Sequence, residues 1–236
     1  MMKKNSEINS FQDFYNRLCD EKYWMDEYKE GFEKYVVSKD PMIREDVAEL
    51  LANFDCDFSR DLLHMLVKDK NWQVRYTALD SLGVVGKQES IDKLYSLFKT
   101  EKKDINIGIL LFSITDIHIY NKYDKSEYIK KLYRFRYDYG TNPIVLPFIL
   151  AQLILLGENV YYDELIELYQ VDDNNLKFHI LCAFENLLIE GDNLNDTIRN
   201  RIYLDVEDIA TTNNEKIPRF KAMVQSILNL KNDDKN

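Results

Sequence analysis

Apolar residues recur along this chain every three to four positions, the period of helices laid against a core. In "DKNWQVRYTALDSLGVVG", residues 69–86, Val74, Ala78 and Leu82 fall four apart on one helical face. Gly83 and Gly86 follow, and glycine's tolerance of the left-handed C-cap conformation predicts that they end the helix. A second amphipathic helix is predicted from about Glu89 to Lys99, with Ile91, Leu94, Leu97 and Phe98 as its buried stripe. Upstream, "DPMIREDVAELLANF", 40–54, has the same form. Asp40 suits an N-cap and Pro41 the first helical position, and "SRDLLHMLVK" is the helix that returns.

The two stretches are copies. Ile43-Arg44 takes the place of Val74-Arg75, 31 residues on, and Leu66-Val67-Lys68 aligns with Leu97-Phe98-Lys99 at the same offset. Two anchors at one offset mark an internal repeat. Downstream the repeat decays but can be followed. "DINIGILLFSI" puts Asn106 where the arginine stood, with "SEYIKKLYRFRY" returning. "NPIVLPFILAQLILLG" opens on Asn142 as N-cap with Pro143 at the first position, ends in Leu156-Gly157 like Leu82-Gly83, and returns through "YDELIELY". "DDNNLKFHILCAFENLLIEG" carries Leu176-Lys177 in the Val-Arg position and returns through "NDTIRNRIYLDVEDIA"; "EKIPRFKAMVQSILNL" is a last helix. Ahead of the array, "SFQDFYNRLCD" and "EKYWMDEYKEGFEKYVV" read as one or two capping helices.

The "DxxIR…A…L" pattern and residues 69–86 resemble HEAT repeats. They are most similar to the short HEAT-like variant of phycobilisome lyase subunits and many bacterial proteins, since a spacing of 31 is below the ~40–47 of standard units. The resemblance is strong over 40–100 and weaker, though periodic, over 100–230. It implies an all-α fold: a right-handed α-solenoid of about five HEAT-like helix pairs with N-terminal capping helices. The expected organisation is a cap over 1–39, continuous as one domain with the repeat array over 40–230, and a disordered tail over 231–236, with residues 1–8 also frayed. The resemblance also implies a polar ladder, in which Arg44 and Arg75 pair with turn aspartates such as Asp40 and Asp69. A guanidinium fork suits that partly buried task.

Composition agrees with helices and restricts partners. Of 236 residues 45% are hydrophobic, enough for a sizeable core, and the 7 Gly and 4 Pro are too few for the turns of a β-sandwich. The net charge of -10 is expected to repel a polyanion, which makes nucleic acid an improbable partner and a basic protein a favoured one. The N-terminus lacks the apolar stretch of a signal peptide. The best apolar run, 144–157, is interrupted by Pro147 and too short to span a bilayer. Cys19, Cys56 and Cys182 form no CxxC and read as reduced, mostly buried thiols of a cytoplasmic protein.

Candidate chemistry is sparse. The chain has no phosphate-binding glycine loop, no GxSxG and no HExxH. His64, His118 and His179 fall on different helices, so no metal site is expected and no cofactor is implied. "EGDNLNDT", 190–197, lacks the mid-loop glycine and closing glutamate of a calcium loop, and reads as a connection with Asn195 or Asp196 as N-cap. "LYRFRYDYG", 132–140, interleaves aromatics and cations; Leu132, Phe135 and Tyr139 would face inward. Aligning the return helices on Leu63, Leu94, Leu132 and Leu165 gives one column of Asp61, Asp92, Lys130 and Asp163 and a second of Met65, Ser96, Arg134 and Glu167. In an α-solenoid one helix layer lines the partner-binding surface. The candidate binding residues are therefore Asp61, Asp92, Ser96, Lys130, Tyr133, Arg134, Tyr137, Asp163 and Glu167.

The function expected is a non-catalytic protein–protein interaction module, an adaptor or an immunity-type protein that neutralises a basic toxin. The alternative is a HEAT-like enzyme: an alkylpurine DNA glycosylase using Asp138 between Tyr137 and Tyr139, or a bilin-lyase-like subunit.

Overall fold

A computed structural model of the chain describes residues 2–19, 23–189, 194–212 and 218–233. Thirteen α-helices and no strand occur among them. In chain order they are α1 (Met2–Leu18), α2 (Lys29–Tyr35, entered through a 3-10 turn at Asp26–Tyr28), α3 (Pro41–Leu51), α4 (Asp57–Leu66), α5 (Trp72–Val85), α6 (Gln88–Leu97) and α7 (Asp104–Tyr120). There follow α8 (Ser126–Asp138), α9 (Val145–Leu155), α10 (Tyr161–Tyr169), α11 (Asn174–Ile189), α12 (Asp196–Thr212) and α13 (Pro218–Asp233). The fold class is an all-α solenoid of helix pairs, and the chain divides into two compact units, residues 1–124 and 125–236.

In the first unit α3, α5 and α7 pack side by side in chain order, with α4 against α3 and α5, and α6 against α4 and α7. The reason is local. Asp40 Oδ1 accepts from the Met42 N–H (3.1 Å) and Pro41 needs no donor, so α3 starts there and buries Ile43, Val47, Leu50 and Leu51. Asn71 caps α5 through the Gln73 N–H (2.8 Å), and Val74, Ala78, Leu79 and Leu82 are buried. Two small polar residues fasten the layer. Ser81 Oγ donates to the Ala48 carbonyl (2.8 Å) and Ser113 Oγ to the Leu79 carbonyl (2.7 Å). Aromatic rings close the open end: Trp24 stacks on Phe32 and meets Phe54 and Phe58.

The glycines of α5 behave differently from the sequence expectation. Gly83 lies within the helix, and Gly86 follows it with extended φ −66°, ψ 153°. A Cβ on Gly86 would lie 2.4 Å from the Leu82 oxygen and 2.6 Å from Ile117 Cδ1; one on Gly83 would lie 3.3 Å from Ser113 Cα. Both glycines answer to the close approach of α7. Gly157, at φ +103°, does take the left-handed conformation. Leu97 and Phe98 are only half-buried, unlike Ile91 and Leu94.

In the second unit α9 packs on α8, α10 and α11, and α13 on α11 and α12. Every residue of α9 is buried and all but Gln152 are apolar, so the helix has no solvent-facing polar side. Asn142 Oδ1 accepts from the Ile144 and Val145 N–H groups (2.9 Å each), although Pro143 and Ile144 form a turn ahead of the helix. Asn195 caps α12 through Thr197 (2.8 Å). At the ends, residues 2–8 continue α1 and 231–233 belong to α13; residues 190–193 and 234–236 lie outside the described residues.

Candidate functional site

Paired turns are the best-defined polar feature of the first unit. Arg44 donates through Nε and Nη2 to the two oxygens of Asp69 (2.6 and 2.9 Å) and through Nη1 to the Ser38 carbonyl (2.7 Å). One repeat on, Arg75 makes the same fork to Glu101 (2.8 and 2.9 Å) and donates to the Asp69 carbonyl (2.9 Å). Asn106, in the third place, donates to Glu101 Oε2 (3.2 Å) and the Trp72 carbonyl (3.1 Å). Each arginine thus reaches forward to the acid of the next turn. Asp40 serves as the α3 cap, and Arg75 takes Glu101 instead of an aspartate side chain, which is where the geometry departs from the pairing implied by resemblance. Burial alone would raise the Glu101 carboxyl, but the fork from Arg75 and the N–H groups of Lys103 and Lys102 outweigh it and bring it to about 2. Asp69 is likewise held below the usual carboxylate range, with burial outweighed by Arg44 and the Asn71 N–H.

The opposite turns are laced too, by residues the sequence reading passed over. Arg60 binds Asp57, Asp55 Oδ1 (2.5 Å) and the Val85 carbonyl (3.2 Å), while Lys87 holds the other Asp55 oxygen (2.9 Å). Arg60 and Lys87 lack the regular 31-residue spacing that exposes the Arg44 ladder, so no periodic signal announces them.

The return helices present the candidate binding residues. On α4 and α6 of the first unit, Asp61, Met65, Asp92 and Ser96 are all exposed. Beneath them His64 Nε2 meets Ser90 Oγ at 3.1 Å, and burial, helped by the Lys93 charge, pushes the His64 imidazole down to about 4.

In the second unit α8 and α10 carry the remainder, all exposed: Lys130, Tyr133, Arg134 and Tyr137 on α8, Asp163 and Glu167 on α10. Some are engaged. Lys130 pairs with Glu127 (2.6 Å) and Asp163 with Arg201 (2.6 Å). The Tyr133 ring lies 6.1 Å from that of Tyr161, and desolvation together with a hydrogen bond to Glu158 raises its phenol. Arg136 forks onto Glu164 (Nη2–Oε2 2.7 Å) and covers the Tyr161 ring at 5.4 Å. Tyr137, 89% exposed, and Arg134 project outward, and Arg134 has no partner among the described residues. Leu132 is buried, while Phe135 and Tyr139 are half-buried.

Catalytic chemistry gains little support from the geometry. Asp138 is exposed in the last turn of α8, between the exposed Tyr137 and the half-buried Tyr139, with no enclosed site around it among the described residues. His64, His118 and His179 sit on α4, α7 and α11, and among the described residues no group of three or more His, Cys, Asp or Glu could hold a metal ion. The three thiols are free; Cys19 is exposed rather than buried, and burial pushes Cys182 up to about 12. Among the described residues no helix is long and apolar enough to cross a membrane.

Residues 31–110, the stretch holding the laced turns, match a family described as HEAT repeats. An engineered protein of known crystal structure, from the Northeast Structural Genomics Consortium, is similar at 14% identity over 86% of this chain, with a TM-score of 0.37. The chain spans 57% of that protein's length. No curated protein matches.

Proposed function

We propose that this chain, whose residues 31–110 match HEAT repeats, is a non-catalytic module that grips a basic protein partner through the exposed faces of its return helices. The observation that carries the reading is what those faces expose. Tyr137, Arg134, Asp61 and Asp92 stand free of the core, while the arginines that do bind carboxylates within the fold are spent on joining turns and helices. Large aromatics beside charged groups are the side chains from which interface anchors are made. The net charge of -10 favours fast association with a basic surface. Free thiols suit the reducing cytoplasm, where an adaptor or an immunity protein that neutralises a basic toxin would act.

The test is affinity capture from the native cell at low and high salt, repeated with an Asp61→Lys/Asp92→Lys chain and with Tyr137→Ala. A stoichiometric basic protein, released at high salt and lost from one variant or the other, is the expected result. Capture of the same protein by all three chains would refute these faces as the binding surface.

A further inference from the structure

We infer that the turn edge of residues 1–124 is a second docking site, opposite in charge to the first, which takes an acidic segment of a protein partner. It does not depend on the preceding reading, which places a basic partner on the return helices. The three turns that lead into α3, α5 and α7 carry Lys39, Lys68, Lys70, Lys99, Lys102 and Lys103, all exposed. None has an ion-pair partner among the described residues. The carboxylates of the same turns are already committed. Asp40 caps α3, Asp69 and Glu101 are held by the forks of Arg44 and Arg75, and Asp104 sits in the first turn of α7, where the helix dipole favours it. With those two arginines, eight cations face four carboxylates in a chain whose overall charge has the opposite sign.

The lacing turns this local excess into a site. Arg44 ties the Ser38 carbonyl to Asp69, and Arg75 ties the Asp69 carbonyl to Glu101, so the three turns are fixed side by side on shared hydrogen bonds. Between the second and third turns lies a cavity of about 300 Å³. Val67 and Leu97 give it an apolar floor, Thr100 a polar wall, and Lys68 and Lys102 stand one on each flanking turn. Asp69 and Glu101 also line it, but their charge is offset by Arg44 and Arg75. An apolar floor accepts the methylenes of a glutamate side chain while the flanking lysines take its carboxylate. Further acidic residues of the same segment would meet Lys39, Lys70, Lys99 and Lys103 along the edge. A nucleic acid is disfavoured, because its unbroken line of phosphates would be repelled by the rest of a chain of net charge -10.

Fluorescein-labelled hexaglutamate, titrated with the full-length protein and read by anisotropy, tests this. Saturable binding that weakens with salt is expected. Lys68→Glu/Lys102→Glu should weaken it at least about tenfold. Thr100→Trp should also weaken it, by filling the cavity without changing charge. Lys130→Glu/Arg134→Glu, in the other unit, should leave it unchanged, which separates this site from the return-helix reading. All substituted residues are exposed, and circular dichroism with a thermal midpoint confirms that each variant is folded. The inference fails if hexaglutamate does not bind, or if Lys68→Glu/Lys102→Glu binds it as well as the unaltered chain. Full affinity in Thr100→Trp would overturn the role of the cavity. Displacement of the peptide by an oligothymidylate of equal charge at lower concentration would overturn the choice of a protein segment as occupant.

Discussion

Arg75 and Arg136 make the same two-pronged contact with a glutamate and should contribute unequally to stability. In the first pair the side chains are 18% and 6% exposed, in the second 41% and 28%. Removing one member of a buried pair leaves the other charge stranded, so Arg75→Ala should cost about 3 kcal/mol. Arg136→Ala, in a pair that water already screens, should cost under about 1 kcal/mol. Urea unfolding of the two variants measures the difference. Titration separates two further residues. Glu101 has a folded value of about 2 against an ordinary 4.5, so its stabilisation is complete above about 4.5 and is lost as pH falls towards 2. His64 has a folded value of about 4 against 6.5, so the unfolded chain takes up that proton first, and stability falls as pH drops from about 6.5 to about 4. Glu101→Gln should flatten the lower window of a stability–pH curve and His64→Gln the upper one.

At the scale of the element, two glycines at helix ends do different work. Gly86 has an ordinary extended backbone and no room, with Leu82 and Ile117 within 3 Å of where a Cβ would stand. Gly157 has ample room and a left-handed backbone. Gly157→Asn should therefore be nearly neutral, since asparagine tolerates that conformation, while Gly157→Ala costs about 1 kcal/mol. Gly86→Asn and Gly86→Ala should both cost about 1–3 kcal/mol through overpacking against α7. Thermal midpoints of the four variants distinguish steric from conformational cause. Ser81 and Ser113 belong to this scale as well. They stand 32 residues apart, one more than the repeat, and each hands one hydrogen bond to the preceding layer helix, a correspondence that the 31-residue offset does not align in the sequence.

For the whole molecule the decisive quantity is charge. A chain at -10 carries acidic return-helix positions at Asp61 and Asp92 and a lysine-bearing turn edge, both within residues 1–124. Once a basic partner is in hand, Asp61→Lys/Asp92→Lys should slow its association and flatten the salt dependence, while Lys68→Glu/Lys102→Glu should leave the rate undiminished. Stopped-flow association at several ionic strengths measures both.

The sequence alone determined the helices, their pairing and the places of Arg44 and Arg75, because each depends on short-range spacing: 3.6 residues for a buried face, 31 for a repeat, one residue for a cap. It could also show that Tyr133, Arg134 and Tyr137 share one unusual stretch. Tertiary structure alone decided which acid each arginine holds. The acid comes from the next turn, 25 residues ahead at Asp69 and 26 at Glu101, and two different side chains fill equivalent roles. It also decided that Gly86 is crowded by Ile117 of α7 as well as by the Leu82 carbonyl of its own helix, and that six lysines scattered over 65 residues flank one edge. Those facts turn on distances between segments far apart in the chain. Only packing the layers against one another fixes such distances.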